Sequence, residues 1–224
     1  MKTAPNAVPA ALVIVAHHRA DSLTAHIARL VAKRLEDAGY RIDLLDLHGE
    51  DFDPRMTVAD QPDWNDRDKV YSDETEAHMR RVLDADVVIP VFPVYWYSVP
   101  AILKGWIDRV WNYGFAYGRS KPKLASKPRK MLWIGLAGAG ADDPLAPVMQ
   151  ESLESGLRDG VSYYGGIAES AVELLLDAEG EPQYVDGDGN FTKGEALTGA
   201  ARDEHYAALE RQAVERVERF LALN

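Results

Sequence analysis

Unbroken apolar runs alternate along this chain with stretches whose apolar residues recur every three or four positions. Ala11 to Ala16 (ALVIVA) is a continuous run rich in β-branched residues, the pattern of a strand buried on both faces. From Ala25 to Ala38, Ile27, Leu30, Val31 and Leu35 keep helical spacing, and Gly39 stands where a helix stops. Arg41 to Leu47 predicts the next strand, which completes a βαβ opening. Further on, the pattern predicts a helix over 74–83, strands over 85–91, 131–137 and 171–177, and helices over 101–111, 148–157 and 197–223. The last helix carries Tyr206, Leu209, Ala213, Val217 and Phe220 or Leu221 on one face. Five strands alternating with helices imply an α/β fold with a doubly wound, five-stranded parallel sheet covered by helices on both faces. Residues 1–10 read as a loose tail and 11–224 as a single domain.

Between these elements lie segments of distinct chemistry. Phe92-Pro93-Val94-Tyr95-Trp96-Tyr97-Ser98-Val99-Pro100 holds three adjacent aromatics between a strand and a helix. Pro93 ends the strand and Pro100 suits the first turn of the helix. Aromatics at the carboxyl end of a parallel strand sit where open α/β sheets bind ligands, although misplaced core is an equal reading of the loop alone. His17 to Thr24 joins the first strand to its helix, and Ser22 and Thr24 fall where that helix begins. Exposed amides there favour a phosphate, whereas plain N-capping by Asp21 or Ser22 explains the same residues. His17 fits a phosphate partner or a strand-end histidine. Gly138-Ala139-Gly140-Ala141 after the fourth strand permits close approach to backbone amides, or is an ordinary connection.

Other segments read as solvated. Residues 48–72 are polar, and their carboxylates lack ligand-like spacing, so a solvated excursion is expected, with Trp64 capping a pocket or partner surface. Arg119 to Lys130 is basic and Pro-containing and reads as a solvated loop. Asp186-Gly187-Asp188-Gly189-Asn190 faintly suggests a calcium loop, but its sixth position is Phe191 and its twelfth Leu197, so a hairpin turn is expected and no metal site.

The 224 residues suffice for one α/β domain with a full core, given 46% hydrophobic residues. The net charge of -11 argues against nucleic acid or an anionic membrane as main partner. Cysteine is absent, which removes disulfides and thiol chemistry. No apolar run reaches a membrane span and no leader-like segment opens the chain, so a cytoplasmic protein is expected.

In the strand order 2-1-3-4-5, the loops after strands one, three and four converge on one crevice. One offers a phosphate seat, one aromatics, one close backbone, the three needs of a flavin mononucleotide-type ligand. The residues also carry a resemblance. Ala16-His17-His18-Arg19-Ala20-Asp21-Ser22-Leu23-Thr24 is similar to the AHPxxxSxN/T phosphate loop of flavodoxin-like NAD(P)H:quinone oxidoreductases. Pro93 to Val110 (PVYWYSVPAILKGWIDRV) and Tyr113 to Tyr117 (YGFAY) resemble that family's ring-binding loop and following helix. The bacterial branch containing the ancillary flavoproteins of glutathione-gated potassium efflux systems resembles the chain most.

The resemblance implies a flavodoxin-like fold binding FMN, with FAD as the alternative, and NAD(P)H as hydride donor. It implies that His17, Ser22, Leu23 and Thr24 hold the phosphate, that Pro93, Val94, Tyr95, Trp96 and Tyr97 line the isoalloxazine ring, and that Ala137, Gly138, Ala139 and Gly140 approach its pyrimidine end. It implies a homodimer with the substrate pocket at the interface, where Trp106, Tyr113 and Phe115 are candidate surface. His18 stands where the family commonly has Pro, and the third loop reads Leu-Ala-Gly-Ala-Gly where many members have Thr-Thr-Gly-Gly. The Tyr and His that some members place after that loop have no counterpart in Ala141 to Pro147, so no side chain is singled out as catalytic. The activity implied is two-electron reduction of quinones or similar electrophiles. The alternatives are a flavin-binding regulatory subunit of a potassium-efflux transport protein and a one-electron flavodoxin.

Overall fold

A computed structural model describes residues 8–118, 121–181, 183–185 and 190–223. The chain runs β1 (Ala10–Val15), α1 (Leu23–Asp37), β2 (Arg41–Asp46), α2 (Asp73–Asp84), β3 (Val87–Pro93), α3 (Ala101–Val110), β4 (Lys130–Leu136), α4 (Ala146–Leu153), β5 (Glu169–Leu175), β6 (Gln183–Val185), β7 (Phe191–Lys193) and α5 (Gly199–Leu221). β1 to β5 form one parallel sheet in the order β2-β1-β3-β4-β5. The expected architecture and strand order are therefore the observed ones.

The continuous apolar strands are buried on both faces because helices cover both. Val13, Val15, Ile89, Val91, Leu132 and Ile134 pack under α1 and α5, against Ile27, Val31, Leu35, Leu209, Ala213 and Val217. Leu12, Ile14, Val88, Phe92, Met131 and Trp133 pack on the opposite face against Met79, Val82, Leu103, Trp106, Val110 and Leu153. Pro90 sits within the central strand, paired with Ile14 on the β1 side. On the β4 side the register skips from Val88↔Met131 to Val91↔Ile134, where proline cannot donate.

Several segments depart from the expected picture. The strand runs through Pro93, which pairs with Leu136. Its missing N–H falls at the last rung, where the ladder ends anyway. Ala10, assigned to the tail, belongs to β1, and its amide donates to Asp86 Oδ2 at 2.8 Å. The helix after β4 is longer than expected, since α4 continues through a π-helical stretch over Glu154–Ser162. That stretch brings the Val161 carbonyl to Trp111 Nε1 at 2.9 Å and the Ser162 hydroxyl to Trp133 Nε1 at 3.1 Å. The basic segment is not simply solvated. It forms a 3₁₀ turn over Lys123–Ser126 that buries Leu124, and buried Arg129 donates to the carbonyls of Val82, Leu83, Leu124 and Lys127. Arg129 thereby caps the carboxyl end of α2, whose last carbonyls have no helical partner. The short antiparallel β6–β7 pair is the expected hairpin, while its turn residues 186–189 lie outside the described residues.

The polar excursion is the largest departure. It is anchored over α3 by Asp60, which is 0% exposed. Its carboxylate accepts from the Ser72 amide (2.9 Å) and hydroxyl (3.1 Å), the Thr57 hydroxyl (3.0 Å) and Arg109 Nε (3.0 Å). Burial pushes this carboxyl up, but the donors outweigh it and hold Asp60 below the usual carboxylate range. Asn112 Nδ2 donates to the Asp60 carbonyl at 2.7 Å, and the Tyr71 hydroxyl to the Tyr113 carbonyl at 2.8 Å. Trp64 lies edge-on to Tyr113, with ring centroids 5.2 Å apart. Trp106, Tyr113 and Phe115 are consequently buried, Trp106 completely, and belong to the core rather than to a pocket or interface surface. The approach is so close that a Cβ on Gly105 would fall on the Pro54 carbonyl. Gly105→Ala is therefore expected to lower stability by about 1–3 kcal/mol in thermal unfolding, although alanine is the better helix former by about 1 kcal/mol.

Candidate functional site

The first loop leaves the sheet where the Ala16 amide donates to the Val91 carbonyl at 3.1 Å. Ser22 is the N-cap of α1, accepting from the Ala25 amide at 3.1 Å, as the capping reading expected. Asp21 does not cap; it forms a two-pronged ion pair with Arg19 at 3.0 and 2.9 Å, which lowers its pKa. The cap leaves the phosphate reading open. The amides of Leu23 and Thr24 precede the first helical acceptor, and among the described residues they donate to no protein group. The Arg19 amide donates to His17 Nδ1 at 3.0 Å, which leaves the ring proton on Nε2. Burial and the adjacent His18 lower the pKa of His17, so its ring is a neutral donor at pH 7.

The aromatic loop is a tight two-residue turn. The Tyr95 amide donates to the Ser98 carbonyl and the Ser98 amide to the Tyr95 carbonyl, each at 3.0 Å. Trp96 and Tyr97 between them have φ of 50° and 61°. A turn with positive φ at both central positions normally takes Asn-Gly, because a Cβ there meets the following carbonyl at roughly 1–2 kcal/mol per residue. The strained turn holds the Trp96 side chain 95% exposed at the carboxyl rim of the sheet. Ser152 Oγ on α4 donates to the Tyr97 carbonyl at 3.3 Å and steadies the rim.

In the third loop, Ala137 is buried, its amide bonded to the Leu175 carbonyl and its carbonyl to the Ala178 amide, both at 2.9 Å. The Ala139 carbonyl accepts from Asp177 at 2.9 Å and that of Gly140 from Asp143 at 3.1 Å. The amides of Gly138, Ala139 and Gly140 donate to no protein group among the described residues.

These loops enclose an open-sided cleft of about 800 Å³. His17, Ser22, Leu23, Thr24, Pro93, Val94, Tyr95 and Gly138 line it together. Trp96, Tyr97, Ala137, Ala139 and Gly140 are not among its lining residues. Sequence reasoning missed other lining residues, namely Glu179 after β5, His26 and Arg29 on α1, and Arg202, Tyr206 and Glu210 on α5. His26 and Glu210 join the two helices at 3.0 Å. His26 and Arg29, three apart in the first turns of α1, were a readable signal; the α5 residues are brought in only by the tertiary fold. A Cβ on Gly138 would lie 2.7 Å from the Glu179 carboxyl carbon, so this glycine makes room for that side chain. Among the described residues no cluster of three or more groups could hold a metal ion.

Residues 10–179 match the sequence profile described as flavodoxin-like fold. The chain belongs to the flavodoxin-like fold family. A relative from Escherichia coli K12, named uncharacterized NAD(P)H oxidoreductase YcaK, is 39% identical over 165 residues, 74% of this chain and 82% of the relative. The mouse ribosyldihydronicotinamide dehydrogenase [quinone] is 35% identical over 121 residues, 47% of this flavodoxin-like chain and 52% of its own, so the chain spans about half of that relative. In solved structures the fold recurs in an NAD(P)H:quinone oxidoreductase from Methanothermobacter marburgensis, with TM-score 0.72, 20% identity and coverage of 94% and 96%. It recurs also in a Treponema denticola general stress protein 14 in complex with FMN, with TM-score 0.63, 20% identity and coverage of 95% and 99%. No described helix is long and apolar enough to cross a membrane.

Proposed function

We propose that this flavodoxin-like protein is a flavin-dependent NAD(P)H oxidoreductase that reduces quinones or similar electrophiles by hydride transfer. The observation that carries the reading is the strained Trp96-Tyr97 turn, which follows Tyr95 of a cleft that also holds the amino end of α1, with its unbonded Leu23 and Thr24 amides, and Gly138 of a third loop with spare amides. Strain of this kind persists where function uses it. The names of the Escherichia coli and mouse relatives support the same chemistry.

The residues present fit a flavin mononucleotide. Leu23 and Thr24 amides, the Ser22 hydroxyl proton and His17 Nε2–H are donors for a phosphate at a helix amino end. Tyr95 and Trp96 offer aromatic faces, and Gly138 to Gly140 offer amides to ring oxygens and nitrogens. When bound, the flavin supplies hydride acceptance and delivery, and the protein supplies orientation and electrostatics. Trp96 and Tyr95 hold the planar ring in one pose, and the spare third-loop amides offset negative charge without a catalytic side chain. FMN is proposed over FAD on the phosphate seat and the FMN-containing structural relative, and a homodimer completing the substrate pocket is proposed on the family resemblance. No particular feature of the cleft favours the regulatory transport subunit.

Steady-state kinetics of the FMN-loaded protein test the reading. NAD(P)H and quinone taking turns in one pocket give parallel double-reciprocal lines. NAD(P)H consumption that does not depend on added quinone contradicts the proposal.

A further inference from the structure

His18 and His48 have no part in the site as described, yet they extend it. The His17 and His18 rings stack at 4.6 Å with 17° between their planes, and His48, on the loop after β2, lies edge-on to His18 at 6.4 Å. His17 lines the cleft beside Ser22, Leu23 and Thr24, so the row of imidazoles leads outward from the phosphate seat. Both outer rings are exposed and can exchange protons with solvent. His17 cannot take a proton on Nδ1 without losing the Arg19 amide, which leaves the outer two as the groups free to charge.

Resting on the flavin reading above, we propose that His18 and His48 select the cofactor: they take up a proton when a terminal phosphate docks beside His17, and so favour a phosphomonoester over an unphosphorylated flavin or a diester-linked one. A phosphomonoester carries about -1.5 to -2 charge at pH 7, more than either phosphate of a diester-linked pyrophosphate. Its field favours the imidazolium form of exposed rings beside it. The other charges facing the row are largely spent on one another. Arg19 is paired with Asp21, and Glu50 with Arg81. Asp46 accepts from the His48 and Gly49 amides at 3.1 and 3.0 Å. Arg29 donates to the Ala20 carbonyl of the same loop at 3.1 Å, and the His26–Glu210 pair, Arg202 and Glu179 also line the cleft. Docking also strips any residual proton from the phosphate, which acts in the opposite direction, so net uptake reports the imidazoles.

The test is calorimetric titration of the full chain with FMN, FAD and riboflavin in two buffers of different ionisation enthalpy. At about pH 7, FMN binding is expected to take up about half a proton or more, and its affinity to fall about threefold to tenfold between pH 6.5 and 8. Riboflavin is expected to show neither effect, and FAD a smaller uptake than FMN. In the His18→Asn/His48→Asn variant, proton uptake should fall by at least about half and the preference for FMN over riboflavin should shrink, with riboflavin affinity unchanged. Absence of uptake in the wild type, or the same uptake in the variant, overturns the proposal. A wild-type chain that binds neither FMN nor riboflavin overturns the flavin reading itself, and this inference with it.

Discussion

Exchange of Trp96-Tyr97 for Asn-Gly is expected to raise the unfolding free energy by about 1–2 kcal/mol while weakening FMN binding at least about fivefold. The two effects have separate causes. Trp96 and Tyr97 occupy the left-handed region at φ of 50° and 61°, which Asn and Gly adopt with little strain. The Trp96 side chain is almost wholly exposed, so its removal leaves no cavity. Loss of an aromatic face against a planar ring costs about 1–3 kcal/mol per stack. Denaturant unfolding and a flavin titration of the same variant measure both. A variant less stable than the parent would contradict the strain, and unchanged FMN affinity would remove the turn from the site.

Asp60→Ala is expected to destabilise the protein by about 3–5 kcal/mol, because it leaves a guanidinium buried beside an empty pocket. The Arg109 side chain is 3% exposed, with Glu74 Oε2 at 2.6 Å and the Phe52 ring centroid 5.0 Å from its guanidinium carbon. Glu74 keeps part of the charge compensated, but the Ser72 amide and the Thr57 hydroxyl lose their acceptor as well. Since a buried pair can be exchanged for apolar groups at small cost, Asp60→Ala combined with Arg109→Met should lose less stability than Asp60→Ala alone. Urea unfolding of the two variants makes the comparison. A double variant that loses as much as the sum of its parts would show that the excursion is held by something other than this pair.

That excursion shows where sequence reasoning stops. Residues 48–72 are polar and lack periodicity, and polarity alone signals solvent. What buries Asp60 is an arginine 49 positions away on α3, and no local pattern links the two. Arg129 was misread in the same way, because its partners are carbonyls at the end of a helix 46 and 47 residues earlier. Trp106, Tyr113 and Phe115 were assigned to a surface that the folded excursion covers. The sheet was legible because buried parallel strands leave continuous β-branched runs, and their order followed from the doubly wound pattern. The Ser22 cap was legible from residue type and position. The aromatic loop was legible as the connection from β3 to α3, but its positive φ was not, since Trp and Tyr are poor choices for such a turn. The α5 wall of the cleft, with Arg202, Tyr206 and Glu210, comes from a helix that the sheet topology places but the sequence pattern does not aim.

The most direct test of the central claim is the absorption spectrum of the purified protein after incubation with FMN, followed by anaerobic addition of NADPH or NADH. The expected result is a yellow protein whose visible absorption bleaches on adding the nicotinamide and returns on adding a quinone. A protein that stays colourless after FMN and FAD, or a yellow one that neither nicotinamide bleaches, would contradict it.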